Sequence, residues 1–172
     1  MKAPKPTVVV SKCITFGPVR WNAREVESDF VESLKPRANF VVVCPEVEIG
    51  LSVPRDPLRI VLTAGEPRLV QPATGFDFTL EMRRFSNSFL DTLHQVDGFI
   101  LKSGSPSCGL TNARIYSDAE TSTPVEKGPG LFGKAVTDRF PRLAIEDDRR
   151  LLNARIKERF LERLFFLAEL RS

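Results

Sequence analysis

Histidine, tyrosine and tryptophan occur once each in the 172 residues, and cysteine only three times. The single histidine, His94, stands near the C-terminal end of a helical pattern, where it reads as a surface or capping residue, and three cysteines with one distant histidine supply a tetrahedral zinc site poorly. No two cysteines are closely spaced, which argues against a thiol redox pair. Their odd number, without an export signal, argues against a disulfide framework. Residues 1–6 carry lysine and proline, and the apolar run after them is too short for the core of a signal peptide. No apolar run approaches the length of a membrane span. The expectation is therefore a cytoplasmic protein with no membrane partner. Excess charge of one sign is also small: 25 basic against 22 acidic residues leave a net +3. That permits an anionic partner such as RNA without the concentrated basic face of a dedicated nucleic-acid binder.

What the chain does have is three thiols in one kind of place. Residues 7–11 and 40–43 are continuous valine-rich runs without polar alternation, as the buried strands of a parallel sheet require. Cys13 and Cys44 follow them directly. A third apolar run, residues 98–101, leads into Lys102-Ser103-Gly104-Ser105-Pro106-Ser107-Cys108-Gly109. There the glycines permit positive φ and the proline fixes a turn, so the cysteine sits in a loop. If the three strands are parallel neighbours, all three thiols emerge at the carboxyl edge of one sheet, where open α/β folds place their ligands. In a reducing compartment such thiols are core filler, reactive groups or metal ligands, and their shared position favours a metal or cluster role.

The rest of the chain alternates between strand and helix patterns. Residues 23–34 read as a helix capped by Asn22, residues 77 or 79 to 94 as a crossover helix, and residues 131–139 as a third. A last helix, capped by Asp147 or Asp148, runs to residue 172 with Leu152, Ile156, Phe160 and Leu164 at four-residue spacing. Residues 59–62 and 68–71 suggest a hairpin or edge excursion, residues 117–129 a loop and residues 141–145 a final strand. These alternations predict an α/β fold: a Rossmann-like three-layer domain with a mostly parallel sheet, plus a C-terminal helix. Near the thiols, Glu46 is a candidate general base, with Glu48 competing. Arg20, Trp21, Lys102 and Ser103 are candidate substrate contacts, although Trp21 also reads as core and Arg20 as a partner for an acid. Arg55 either binds an anion or pairs with Asp56. The basic residues of the last helix read as a solvated face, or as a face for phosphate backbone.

Three motifs occur in order: Ser11-Lys12-Cys13 with Gly17-Pro18-Val19-Arg20-Trp21; Val43-Cys44-Pro45-Glu46-Val47 with Gly50-Leu51 and Pro54-Arg55; and Lys102-Ser103 with Ser105-Pro106-Ser107-Cys108-Gly109. Together they resemble the thiouracil desulfidase (TudS-like) family. Ile49 and Trp21-Asn22-Ala23 depart from its usual residues. The resemblance implies a 4Fe-4S cluster held by Cys13, Cys44 and Cys108 alone, with one iron open. It matches Glu46 to the family's catalytic glutamate and Ser105 to its catalytic serine. It also implies non-redox, hydrolytic removal of sulfur from a thiolated pyrimidine base or nucleoside (2- or 4-thiouracil, 4-thiouridine), or from 4-thiouridine in tRNA, giving uracil or uridine and hydrogen sulfide. The physics agrees: full ligation of such a cluster takes four thiolates, so three leave a thiophilic Lewis acid exposed. Arg150-Leu151-Leu152-Asn153-Ala154-Arg155 resembles the opening of the helical domain in a subgroup (RudS-like) associated with 4-thiouridine in tRNA. Residues 1–147 are then expected to form the iron-sulfur domain, and residues 148–172 the start of a truncated helical domain. The alternative reading is a non-catalytic metal- or cluster-binding module, an accessory to RNA.

Overall fold

The computed structural model describes residues 2–172. β1 (Thr7–Ser11), α1 (Asp29–Leu34) and β2 (Asn39–Val43) come first, followed by α2 (Pro45–Glu48), a single turn whose first position is the proline. β3 (Arg59–Thr63) and β4 (Glu66–Gln71) form a hairpin that β5 (Phe76–Asp77) extends, and α3 (Thr79–Asp91) then crosses to β6 (Gly98–Leu101). β7 (Ala113–Tyr116), β8 (Glu126–Gly128), α4 (Leu131–Arg139) and β9 (Ala144–Asp147) follow. A 3-10 turn (Arg150–Leu152) and α5 (Ala154–Arg171) complete the chain.

The strands form two sheets. The first has the order β2-β1-β6-β9 and is parallel throughout; the second has the order β5-β4-β3-β7-β8 and is mixed. Alternation along the buried strands sets the layers. Val8, Val10 and Ile100 face a cluster that includes Val31 and Leu34 of α1 and Phe160 and Leu164 of α5. Val9, Phe99 and Leu101 face the opposite cluster, which takes in Met82 of α3, Phe132 of α4, and Ile60 and Leu69 of the second sheet. The parallel sheet is thus covered on both faces, which explains its unbroken apolar runs. Among the described residues no helix is long and apolar enough to cross a membrane.

Several elements differ from the sequence reading, each because a partner outside the local pattern wins. The helix expected over 23–34 begins only at Asp29. Ala23 has φ 57°, and the Val26 N–H donates to the Cys13 carbonyl while the Thr15 N–H donates to the Val26 carbonyl, so this stretch bridges to the thiol loop instead. Ser28, not Asn22, is its cap, accepting from the Val31 N–H at 3.2 Å. The crossover helix ends at Asp91, leaving His94 outside it. β8 lies inside the expected 117–129 loop, and the last strand falls at Ala144–Asp147 rather than 141–145. The last helix is capped by Asn153, whose side chain accepts from the Arg155 and Ile156 N–H groups. Asp147 accepts from the Arg150 N–H at the 3-10 turn instead. Leu152 therefore falls before the helix and is 84% exposed, off the buried stripe.

Candidate active site

The order β2-β1-β6 puts the three expected strands side by side, and the chain reverses its direction of winding at β1. Ligands of open α/β sheets bind outside the carboxyl ends at such a reversal. A cleft of about 700 Å³ opens there, lined by Cys13, Cys44 and Cys108 together with Glu46, Ser105, Arg20, Trp21, Lys102 and Ser103. The three thiols, Glu46, Ser105 and the expected substrate contacts Arg20, Trp21, Lys102 and Ser103 therefore reach one place. Glu48 and His94 do not line it. Trp21 is 45% exposed at the mouth, so it is not a core residue.

Each thiol is held by a different device. Cys13 follows β1 in a loop where Thr15 takes φ 61°, an uncommon conformation for a β-branched residue, with its hydroxyl buried and unpartnered. Cys44 precedes the first turn of α2. Cys108 lies in a loop on which α4 docks end-on. The N–H groups of Gly130, Leu131 and Gly133 donate to the carbonyls of Gly109, Pro106 and Ser107, so orphan donors of the helix start fasten the loop. That approach requires glycine: a Cβ on Gly130 would lie 2.6 Å from the Ser107 carbonyl, and one on Gly133 would collide with the Gly109 carbonyl. The Ser105 hydroxyl adds two further fastenings, accepting from the Ser107 and Cys108 N–H groups at 3.1 and 2.9 Å. Its own hydrogen remains available to a ligand.

Burial dominates the electrostatics. It pushes the Cys13 thiol up to about 12, against the opposing pull of Lys102. Cys44 and Cys108 are raised for the same reason, Cys108 further by the other two cysteines and by Glu46. Ionising three such neighbours demands compensating positive charge. Among the described residues no three His, Cys, Asp or Glu side chains are grouped to hold a single metal ion. The donor set is three soft thiols around one cleft, the ligand type that suits thiophilic metals and iron-sulfur groups.

Glu46 is fixed at both carboxylate oxygens. Arg55 Nε donates to Oε1 at 3.0 Å, and the Ser107 hydroxyl donates to Oε2 at 2.9 Å. Arg55 thus pairs with Glu46 and not with Asp56, because α2 turns the carboxylate back toward the 51–57 loop. Lys102 Nζ donates to the Ser103 carbonyl at 2.9 Å and lies 3.4 Å from Asp148 Oδ2, while the Ser103 N–H donates to Asp148 Oδ1. Asn112 completes this loop by accepting from the Gly104 N–H and donating to the Ser103 hydroxyl.

Sequence reasoning missed the far wall. Arg114 of β7 stands opposite Lys127 of β8. The parallel register of β7 with β3, Ile115 opposite Ile60, sets Arg59 beside Arg114. All three line the cleft. Arg59 stacks on Tyr116, 3.7 Å from the ring centroid, and donates to the Ala119 and Thr121 carbonyls. No hydrogen bond or ion pair engages the side chain of Arg114 or Lys127 among the described residues. Like charges directly across strands are unfavourable, and the three cations share one wall of the cleft. The alternation in residues 113–116 is a faint signal of an outward Arg114; nothing local announces its neighbours.

The family model for 2-thiouracil desulfurase matches residues 8–148. The chain belongs to that family. It is 30% identical over 109 residues, 59% of its length and 72% of the relative's, to the uncharacterized protein YbbK of Bacillus subtilis (strain 168). A solved structure of the 4Fe-4S-dependent thiouracil desulfidase TudS superposes with a TM-score of 0.66 at 29% identity, covering 86% of this chain and 93% of that one. The matched span runs from the first thiol strand to Asp148 and includes every lining residue of the cleft except Arg149.

Proposed function

We propose that this protein is a 4Fe-4S-dependent desulfidase that hydrolyses the carbon-sulfur bond of thiolated uracil. The observation that carries the reading is the convergence of three buried thiols and one tethered carboxylate on a single cleft. Cys13, Cys44 and Cys108 fit an iron-sulfur group by donor chemistry, and their burial favours a partner that brings positive charge. Bound by three thiolates, such a cluster would supply an open, thiophilic Lewis-acidic iron for the thiocarbonyl sulfur. The chain's own residues do the rest. Glu46 takes a proton from the attacking water and returns it as sulfide departs, so thiocarbonyl plus water gives carbonyl plus hydrogen sulfide without electron transfer. Ser105, with its hydroxyl hydrogen free, orients the ring by donating to its oxygen. Trp21 at the mouth offers a flat face for the pyrimidine.

The cation row supports a substrate that carries phosphate, a 4-thiouridine nucleotide either free or within tRNA, with Arg20 assisting at the rim. A reducing compartment, the cytoplasm, suits three free thiols. The test is anaerobic reconstitution with iron and sulfide, then incubation with 4-thiouracil, 4-thiouridine and its 5′-monophosphate while following the thiocarbonyl absorbance. Loss of the band only in reconstituted protein is expected. Glu46→Gln should keep the cluster absorbance and lose turnover by about 100-fold or more, whereas Cys44→Ser should lose the cluster. An active Glu46→Gln enzyme would remove the base role, and cluster-free wild-type protein would end the reading.

A further inference from the structure

The Arg55 side chain is only 5% exposed and reaches three loops at once. Its Nε donates to Glu46 Oε1 at 3.0 Å, and its Nη1 donates to the carbonyls of Val19 and Ser52 at 3.0 and 3.1 Å. Its backbone N–H donates to the Trp21 carbonyl at 2.8 Å. The mouth loop after β1, the first turn of α2 and the 51–57 loop therefore meet on one residue. The Cys44 thiol also lies 4.0 Å from the Val19 carbonyl.

We propose that Arg55 is a positioning residue: it sets the Glu46 carboxylate against the mouth loop, so that the base and the Trp21 wall keep a fixed separation across the cleft. With Oε1 held by the guanidinium and Oε2 facing Ser107, the carboxylate cannot rotate, and a water molecule has one defined approach to it. A planar guanidinium with several donors joins a carboxylate and two carbonyls simultaneously. An ammonium group at the end of a lysine reaches Glu46 without also holding Val19 and Ser52. Misplacement by about 1 Å at a reacting centre can cost on the order of 100-fold in rate, which sets the size of the expected effect. The catalytic half of this inference rests on the proposed role of Glu46. The loop half does not.

The test compares Arg55→Lys and Arg55→Met with wild type in three measurements. The first is iron bound per chain after reconstitution. The second is kcat and KM for 4-thiouracil, a substrate without phosphate. The third is acrylamide quenching of Trp21 in cluster-free protein, which reads the mouth loop alone because the chain has a single tryptophan. Expected are wild-type iron content, kcat lower by about 10-fold for lysine and about 100-fold for methionine with KM little changed, and stronger quenching in both variants. Unchanged quenching overturns the inference, as does a wild-type kcat in Arg55→Met or a loss confined to KM. Loss of iron also overturns it, because Arg55 would then support Cys44 rather than Glu46. Should Arg55→Met not fold, the lysine variant decides by the same criteria. If the wild type itself turns over no thiouracil, the proposed function has failed, and the quenching comparison still judges the loop joint.

Discussion

Asp147 is 1% exposed, and its neighbours in sequence take the nearby cations: Glu146 pairs with Arg150, and Asp148 lies against Lys102. The Asp147 carboxylate accepts from the Arg150 N–H at 2.7 Å. Burial raises its carboxyl above the ordinary value of 3.8, and the charges of Asp148 and Glu146 add to the shift. A carboxyl that holds its proton more tightly when folded makes ionisation a cost to the folded state. That cost is absent below 3.8 and complete above the raised folded value. Asp147→Asn removes the charge and retains an oxygen to accept from Arg150. The variant should be more stable than wild type at pH 7 in urea unfolding, with the advantage fading as the pH falls toward 4. Lower stability of the variant at pH 7 would mean that the carboxylate earns its place through the hydrogen bond alone.

The β3–β4 hairpin turns through Ala64 and Gly65, with φ 51° and 79°. Two consecutive positive φ values are the signature of the type I′ turn, where asparagine before glycine is favoured and alanine is not. Ala64→Asn should therefore raise the unfolding free energy by about 0.5 kcal/mol, a fraction of the roughly 1–2 kcal/mol that a non-glycine residue pays in this region, and thermal denaturation would register it. The hairpin was legible in the sequence because Ala64-Gly65 and the flanking β-branched residues are local signals. For the same reason β1, β2 and β6 were legible, and with them the three thiols: a continuous Val8-Val9-Val10 run states its own burial. The start of α1 was not legible, because Val26 is claimed by Cys13 and Thr15 from another loop. Nor was β8, three residues whose strand character comes from pairing with β7. The Arg55–Glu46 pair and the Arg59–Arg114–Lys127 row belong to this second class. The pair closes across an irregular, proline-braced loop and the row joins three strands of the second sheet, and no periodicity records who will face whom.

Across the whole molecule the formal charge is only +3, yet the cleft collects Arg20, Arg55, Arg59, Lys102, Arg114, Lys127 and Arg149 against one lining carboxylate, Glu46. Near-neutrality overall therefore conceals a strongly polarised surface, and steering by that field is screened by salt. On the proposed reading, KM for 4-thiouridine monophosphate should rise steeply between low and physiological ionic strength, while KM for free 4-thiouracil stays nearly constant. Arg114→Gln with Lys127→Gln should flatten the first curve and leave the second alone. Equal salt dependence for the two substrates would detach the row from substrate binding.

The three cysteines are 31 and 64 residues apart in the chain (13 to 44, 44 to 108), and they meet only because β1 has β2 on one side and β6 on the other. No short stretch of the polypeptide carries the full set, so the socket is a product of tertiary assembly: it exists once β6 lies beside the first strand. On the proposed reading, a cluster entering such a socket would meet a finished scaffold rather than serve as a template for folding.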